Sequence, residues 1–170
     1  MERRAEAGRF LVDEMLARLG RWLRAAGHDT LIPRPGASDA ELMATARGER
    51  RLLITRDRKL TEFRDADQWV IWLRANTTEE CARELGRRIR LDWLRAPFTR
   101  CLVCNTPLTQ GADADIAAIP EHSRRVVNAV WRCPGCQRLY WHGGHVRRMR
   151  RRLESLAAHQ RHEGDGQDGP

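Results

Sequence analysis

The chain has 170 residues, 41% of them hydrophobic and 32% charged, a globular composition that excludes a wholly disordered protein. No stretch approaches the roughly 18 apolar residues of a membrane helix, and residues 1–9 lack the apolar run of a signal peptide, so a cytoplasmic protein with no membrane partner is expected. Against 23 Asp+Glu stand 31 Lys+Arg, and the net charge of +8 favours a polyanionic partner, nucleic acid first.

Residues 8–12 (GRFLV) read as a short apolar strand that ends at Asp13. Met15, Leu16, Leu19, Trp22, Leu23 and Ala26 follow at helical spacing, and Gly27 stands where a helix C-terminal glycine belongs. Residues 30–32 predict a second strand, stopped by the turn Pro33-Arg34-Pro35-Gly36. Ser38 and Glu41 form a capping box ahead of a helix whose stripe is Leu42, Met43 and Ala46. Leu52-Leu53-Ile54-Thr55 is a continuous apolar strand that runs into Arg56-Asp57, and residues 69–73 (WVIWL) are another. Thr77 and Glu80 make a second box, before a helix carrying Cys81, Leu85 and Leu91; Cys81 is expected to be a packed apolar side chain. Non-alternating strands separated by helices predict an α/β domain with a parallel sheet covered on both faces, a doubly wound three-layer α/β/α sandwich.

The pattern changes at Ala96-Pro97-Phe98. Residues 1–96 are therefore expected as one domain and residues 97–160 as a small metal-stapled unit. The latter ends in a basic helix with Val146, Met149, Leu153 and Leu156 on one face. Residues 161–170 form a polar tail expected to be disordered.

Four of five cysteines fall into two pairs, Cys101-x-x-Cys104 and Cys133-x-x-Cys136, with 28 residues (105 to 132) between them. Under cytosolic redox conditions this is zinc spacing rather than a disulfide framework. Four thiolates close a tetrahedral site and leave no position for substrate, so the zinc is expected to be structural.

Asp13 follows the first strand, Asp57 the third, and Asp39 opens the helix after the second. In an open parallel sheet these places share the carboxyl edge, where ligands bind. Three carboxylates there would repel unless a cation sat among them, and oxygen ligands suit Mg²⁺ or Mn²⁺. Asn76, past the fourth strand, is a weaker fourth candidate. The alternative is capping: Asp13 and Asp39 stand at helix starts, and Asp57 fits a turn. Asp29, Asp65 and Asp67 fall at strand starts or in loops and are left out. Arg18 and Arg21 on the first helix, with Arg24 continuing that basic surface and Arg56 beside Asp57, are candidate phosphate contacts. So are the denser Arg147, Arg148, Arg150, Arg151 and Arg152. His142 and His145 follow the second cysteine pair, where capping or RNA contact suits them better than a place among four filled zinc positions.

The motifs Phe10-Leu11-Val12-Asp13, Leu19-Gly20-Arg21-Trp22-Leu23-Arg24 and Gly27-His28-Asp29-Thr30 resemble the opening of the Mut-seven C-terminal ribonuclease domain family. The resemblance continues through Ser38-Asp39-Ala40-Glu41-Leu42, residues 53–60, both cysteine pairs and Tyr140-Trp141-His142-Gly143-Gly144-His145, and so spans roughly residues 9 to 153. It implies a PIN-like nuclease fold joined to a zinc ribbon, and metal-dependent cleavage of RNA. The family's acidic cluster falls on Asp13, Asp39 and Asp57. The resulting expectation is a Mg²⁺- or Mn²⁺-dependent ribonuclease acting on single-stranded RNA, with the ribbon and its basic helix holding the RNA backbone. The alternative is a non-catalytic adaptor that binds RNA or the ribosome.

Overall fold

The computed structural model describes residues 8–125 and 127–165. Four strands, β1 (Arg9–Val12), β2 (Asp29–Leu31), β3 (Leu52–Thr55) and β4 (Val70–Trp72), form a parallel sheet in the order β2-β1-β3-β4. The chain moves from β1 outward to β2, then returns past β1 to β3. The direction of winding therefore reverses between β1 and β3, which leaves a crevice at their carboxyl ends. Helices α1 (Ala17–Ala25), α2 (Asp39–Gly48), α3 (Ala66–Trp69) and α4 (Thr78–Ile89) make the connections and follow the last strand.

Alternation along the strands divides the core in two. Phe10, Val12, Leu52, Ile54 and Ile71 pack with Leu19, Trp22 and Leu23 of α1 and with Ala82 and Leu85 of α4. Leu11, Leu53 and Val70 point the other way, onto Leu42, Met43 and Ala46 of α2. Cys81 is buried within the first cluster, as a small apolar side chain would be. Each fully buried Leu or Ile contributes about 1.5–3 kcal/mol, so both faces of the sheet need their helices. Met15 departs from the expected stripe and is 57% exposed. It lies in a 3-10 turn, Glu14–Leu16, ahead of α1, where the tighter winding shifts its phase relative to Leu19 and Trp22.

Helix α1 ends in a Schellman motif: the His28 N–H donates to Leu23 O (2.9 Å) and the Gly27 N–H to Arg24 O (3.0 Å). Gly27 has φ +96°, and a Cβ there would lie 2.4 Å from Ala96 O. The glycine thus serves both the cap and the returning chain, whose Ala96 and Phe98 N–H groups donate to Ala26 O and Ala25 O. His28 is 3% exposed, with Nε2 2.8 Å from Asp92 O and Nδ1 without a partner among the described residues. Burial pulls its pKa below the ordinary value, although the Asp92 carbonyl pulls the other way. The unfolded chain then takes up a proton near pH 6.5 that the folded chain refuses, so stability falls as pH drops through about 6.5. The Tm is expected to decrease between pH 7.5 and 5.5, with a shallower decrease in His28→Gln. The same profile in both proteins would refute this assignment.

The second half forms an antiparallel sheet of β5 (Thr109–Gln110), β6 (Val130–Arg132) and β7 (Leu139–Trp141). Between β5 and β6 lie the short helices α5 (Asp113–Ala118) and α6 (Glu121–Arg124). Ile119, Val127 and Val130 make a small core, with Leu139 and Trp141 against it. Asp115 accepts from the Ala112 N–H (2.9 Å) and pairs with Arg132, tying α5 to β6. The last helix, α7 (Gly144–Asp165), returns to the first half and packs on α1 and α4. Its Leu153 and Leu156 are buried in the same cluster as Trp22 and Leu85. Of the expected tail, residues 161–165 continue α7, and residues 166–170 lie outside the described residues. Among the described residues no helix is long and apolar enough to cross a membrane.

Candidate functional site

At the carboxyl edge, Asp13 leaves β1 and its N–H donates to Ile54 O (3.0 Å). Its side chain caps nothing. Instead the Thr55 hydroxyl donates to Asp13 Oδ2 (2.7 Å) and accepts from the Asp57 N–H (2.9 Å). Thr55 is fully buried at the end of β3. One hydroxyl thus joins the Asp13 carboxylate to the Asp57 backbone across the crevice where the winding reverses. Asp57 Oδ1 accepts from the Lys59 N–H (2.8 Å), so the turn role also holds for this residue. Among the described residues Asp13 Oδ1 and Asp57 Oδ2 accept no hydrogen bond, which leaves an oxygen of each acid available.

Asp39 is the first residue of α2, but Ser38 makes the cap: its hydroxyl accepts from the Glu41 N–H (3.3 Å), and Glu41 Oε2 accepts from the Ser38 N–H (2.8 Å). No hydrogen bond joins Asp39 to Asp13 or Asp57 among the described residues. The three carboxylates do not form a close metal-ligand group; the four cysteines are such a group. Mg²⁺ is commonly held by one or two carboxylates, with water and substrate phosphate completing its shell, so the Asp13–Asp57 pair fits that ion.

The candidate cations are placed unequally. Arg56 Nη2 donates to Asn76 Oδ1 (2.7 Å), and the Arg56 carbonyl accepts from Trp72 Nε1 (3.1 Å), which ties the loops after β3 and β4. Arg18 and Arg21 are exposed on α1. Arg24 does not continue their surface: it is 3% exposed, and donates to Thr30 O (2.8 Å), Leu102 O (3.0 Å) and Val103 O (2.8 Å). On α7, Arg147, Arg148, Arg150, Arg151 and Arg152 are exposed; Arg150 lies over the Phe98 ring and Arg152 over Trp22. His145 is exposed, with Nδ1 2.7 Å from Arg148 Nη2.

The cysteine site is assembled from two knuckles. Cys101 and Cys104 flank a tight loop, and Cys133 to Cys136 occupy the β6–β7 turn. Their four sulfurs lie within 4.8 Å of one another. The Cys101–Cys136 and Cys104–Cys133 separations are 3.6 and 3.3 Å. Those distances are far beyond a disulfide's ~2.05 Å and near the ~3.8 Å that tetrahedral bonds of about 2.3 Å would set. The Cys104 and Cys136 N–H groups donate to the sulfurs of Cys101 and Cys133, both at 3.4 Å, and Tyr140 Oη lies 3.0 Å from Cys101 Sγ. Such contacts orient metal ligands and disperse their charge. Gly135 leaves the turn room, since a Cβ there would lie 2.6 Å from Thr106 Oγ1. Burial raises the Cys104 pKa, but bonds from Thr106 and its neighbours bring it down to about 6. For Cys136 the Arg138 N–H favours the thiolate, yet burial and the other three sulfurs push it up to about 12. Four thiols this close cannot all ionise without a cation, and these four can bind zinc.

The two sites stand at opposite ends of the sheet. Asn105, just past the first knuckle, accepts from the Thr30 N–H (3.1 Å) and donates to Asp29 Oδ1 (2.7 Å) at the amino end of β2. Asp29 also pairs with buried Arg51, so its role is to join strand starts. Burial opposes ionisation of Asp29, and hydrogen bonds from Arg51 and Asn105 more than offset it. Asp65 likewise pairs with Arg47. Thr55 and Asn105 are site-forming residues that pattern reading misses, and Arg24 is one to which it gives the wrong role. Thr55 has a visible trace, as the one polar residue of an otherwise apolar strand; Arg24 and Asn105 have none, because their partners are 75 to 79 residues away.

Neither the curated proteins nor the solved structures yield a match to this chain. A family model does match, over residues 8–153, a span that holds both the carboxyl edge and the four cysteines. Its description is a ribonuclease domain, and on that match the chain belongs to the Mut7-C RNAse domain family.

Proposed function

We propose that this protein is a Mg²⁺- or Mn²⁺-dependent ribonuclease with a PIN-like three-layer nuclease domain (residues 1–96) and a zinc ribbon with a basic helix (residues 97–160). The observation that carries the reading is the Asp13–Thr55–Asp57 chain of hydrogen bonds at the crevice between β1 and β3. Asp13 and Asp57 would hold the divalent ion, and Asp39 would orient water at its edge. Bound there, the ion supplies Lewis-acid polarisation of the phosphodiester and activation of water. Thr55 fixes the facing of the Asp13 carboxylate and holds the Asp57 backbone beside it. Arg18, Arg21 and Arg56 would hold phosphates, and His145, Arg147, Arg148, Arg151 and Arg152 would bind the backbone of single-stranded RNA in the cytoplasm.

The adaptor reading has one observation in its favour, the absence of a close group of three acids among the described residues. A cleavage assay separates the two. Zinc-loaded protein is expected to cut labelled single-stranded RNA with Mg²⁺ or Mn²⁺ present, and Asp13→Asn to be inactive. Tight RNA binding without cleavage in either ion would select the adaptor.

A further inference from the structure

A cavity of about 730 Å³ lies between the small sheet, α6 and the first turns of α7. That volume falls in the roughly 300–1,000 Å³ range of ligand pockets. Its walls combine aromatic faces with cations. Trp131 and Tyr140 are register partners on β6 and β7, so their side chains share one face of the sheet. His142 lies on the Trp131 ring in a stacked pair, centroids 4.7 Å apart and 19° between planes. Arg100, His145 and Arg147 also line the cavity, and among the described residues no acid lines it. Nor is there an acid anywhere from Trp141 to Leu153. Trp131 belongs to none of the buried core clusters, so packing does not explain its place.

From this combination we infer that the cavity holds an unpaired nucleobase of single-stranded RNA, stacked on the Trp131–His142 pair, with the flanking phosphates on Arg100 and Arg147. The inference rests on the RNA reading above and adds a base-binding subsite remote from the carboxylates. Duplex RNA offers no such base, because its bases are stacked on one another. Aromatic stacking accepts any base and adds affinity without releasing counterions, whereas the arginines do release them. Single-strand preference and salt dependence should therefore come from different residues of one cavity.

The test is binding of an eight-nucleotide oligoadenylate and of a duplex RNA, followed by anisotropy with no divalent ion added. Trp131→Thr is expected to weaken the oligoadenylate about tenfold or more. It should leave duplex affinity within twofold and the slope of log affinity against log salt unchanged. Trp131→Phe should restore most of the loss, and zinc content should match the parent, which shows that the ribbon has folded. Arg147→Gln should lower affinity for both RNAs and flatten the slope. Equal losses on both RNAs in Trp131→Thr, or no loss on either, would overturn the subsite while leaving the ribonuclease reading in place. Failure of the parent protein to bind any RNA would overturn both.

Discussion

Exchange of Cys104 for serine is expected to take bound zinc from about one per chain to a small fraction of that, measured by elemental analysis of freshly purified, reduced protein. Serine removes one of four thiolates, and the remaining three keep an open position. The small sheet should then melt, because Ile119, Val127 and Val130 are too few to hold it. The consequence extends further than the ribbon. Arg24 is buried and donates to two carbonyls of the first knuckle, Leu102 and Val103. If the knuckle unravels, that guanidinium keeps only its bond to Thr30. Exposed to water, it forfeits two hydrogen bonds from a charged group, each contributing about 1.5–3 kcal/mol net. The parallel-sheet body should therefore stay folded but lose stability by at least about 2 kcal/mol, read as an earlier second transition on denaturant unfolding. Unchanged stability of that body would show the two halves to be energetically independent, and parent protein without zinc would remove the metal site altogether.

The same clamp shows which parts of the structure the sequence makes legible. Local signals were sufficient for the elements: Ser38-x-x-Glu41 and Thr77-x-x-Glu80 start α2 and α4 with both reciprocal bonds, and Gly27 ends α1. The continuous strand Leu52-Leu53-Ile54-Thr55 is buried throughout, as a strand covered on two faces must be. The cysteine pairs were legible because a knuckle is a local turn and only the meeting of two knuckles is long-range. Arginine 24 was not legible. Its spacing puts it near Arg21 along the helix, while a tertiary contact with the knuckle decides its burial. The carboxyl edge was half legible. Topology placed Asp13 and Asp57 at one crevice, but the direction of a short side chain is set by a single hydroxyl, and capping looked equally suitable. The helix α7 was legible as an amphipathic stretch, yet nothing in its period says which of two apolar surfaces it covers.

The substitution Asp57→Asn is expected to reduce divalent-dependent RNA cleavage by more than about a hundredfold, beyond the 10–100-fold typical of residues that only orient a metal ligand. Asparagine keeps the shape and the acceptor for the Lys59 N–H, so the 3-10 turn after β3 and the overall fold should persist. What it removes is negative charge toward a cation, and with it the acceptor pair that a hard ion needs. Thr55→Val gives the contrasting case. Valine matches threonine in volume but withdraws the donor to Asp13 and the acceptor for Asp57. Both charges remain, only less well aimed, so the loss should be about 10–100-fold and should shrink as Mn²⁺ is raised. Thr55→Ser should recover most of the activity, since it restores the hydroxyl. Mn²⁺ should not rescue Asp57→Asn. A purely structural role for Thr55 predicts a different pattern: lower stability in Thr55→Val, with the metal dependence of any remaining activity unaltered. Full cleavage by Asp57→Asn, with contaminating nucleases excluded, would remove this pair of acids from the catalytic site.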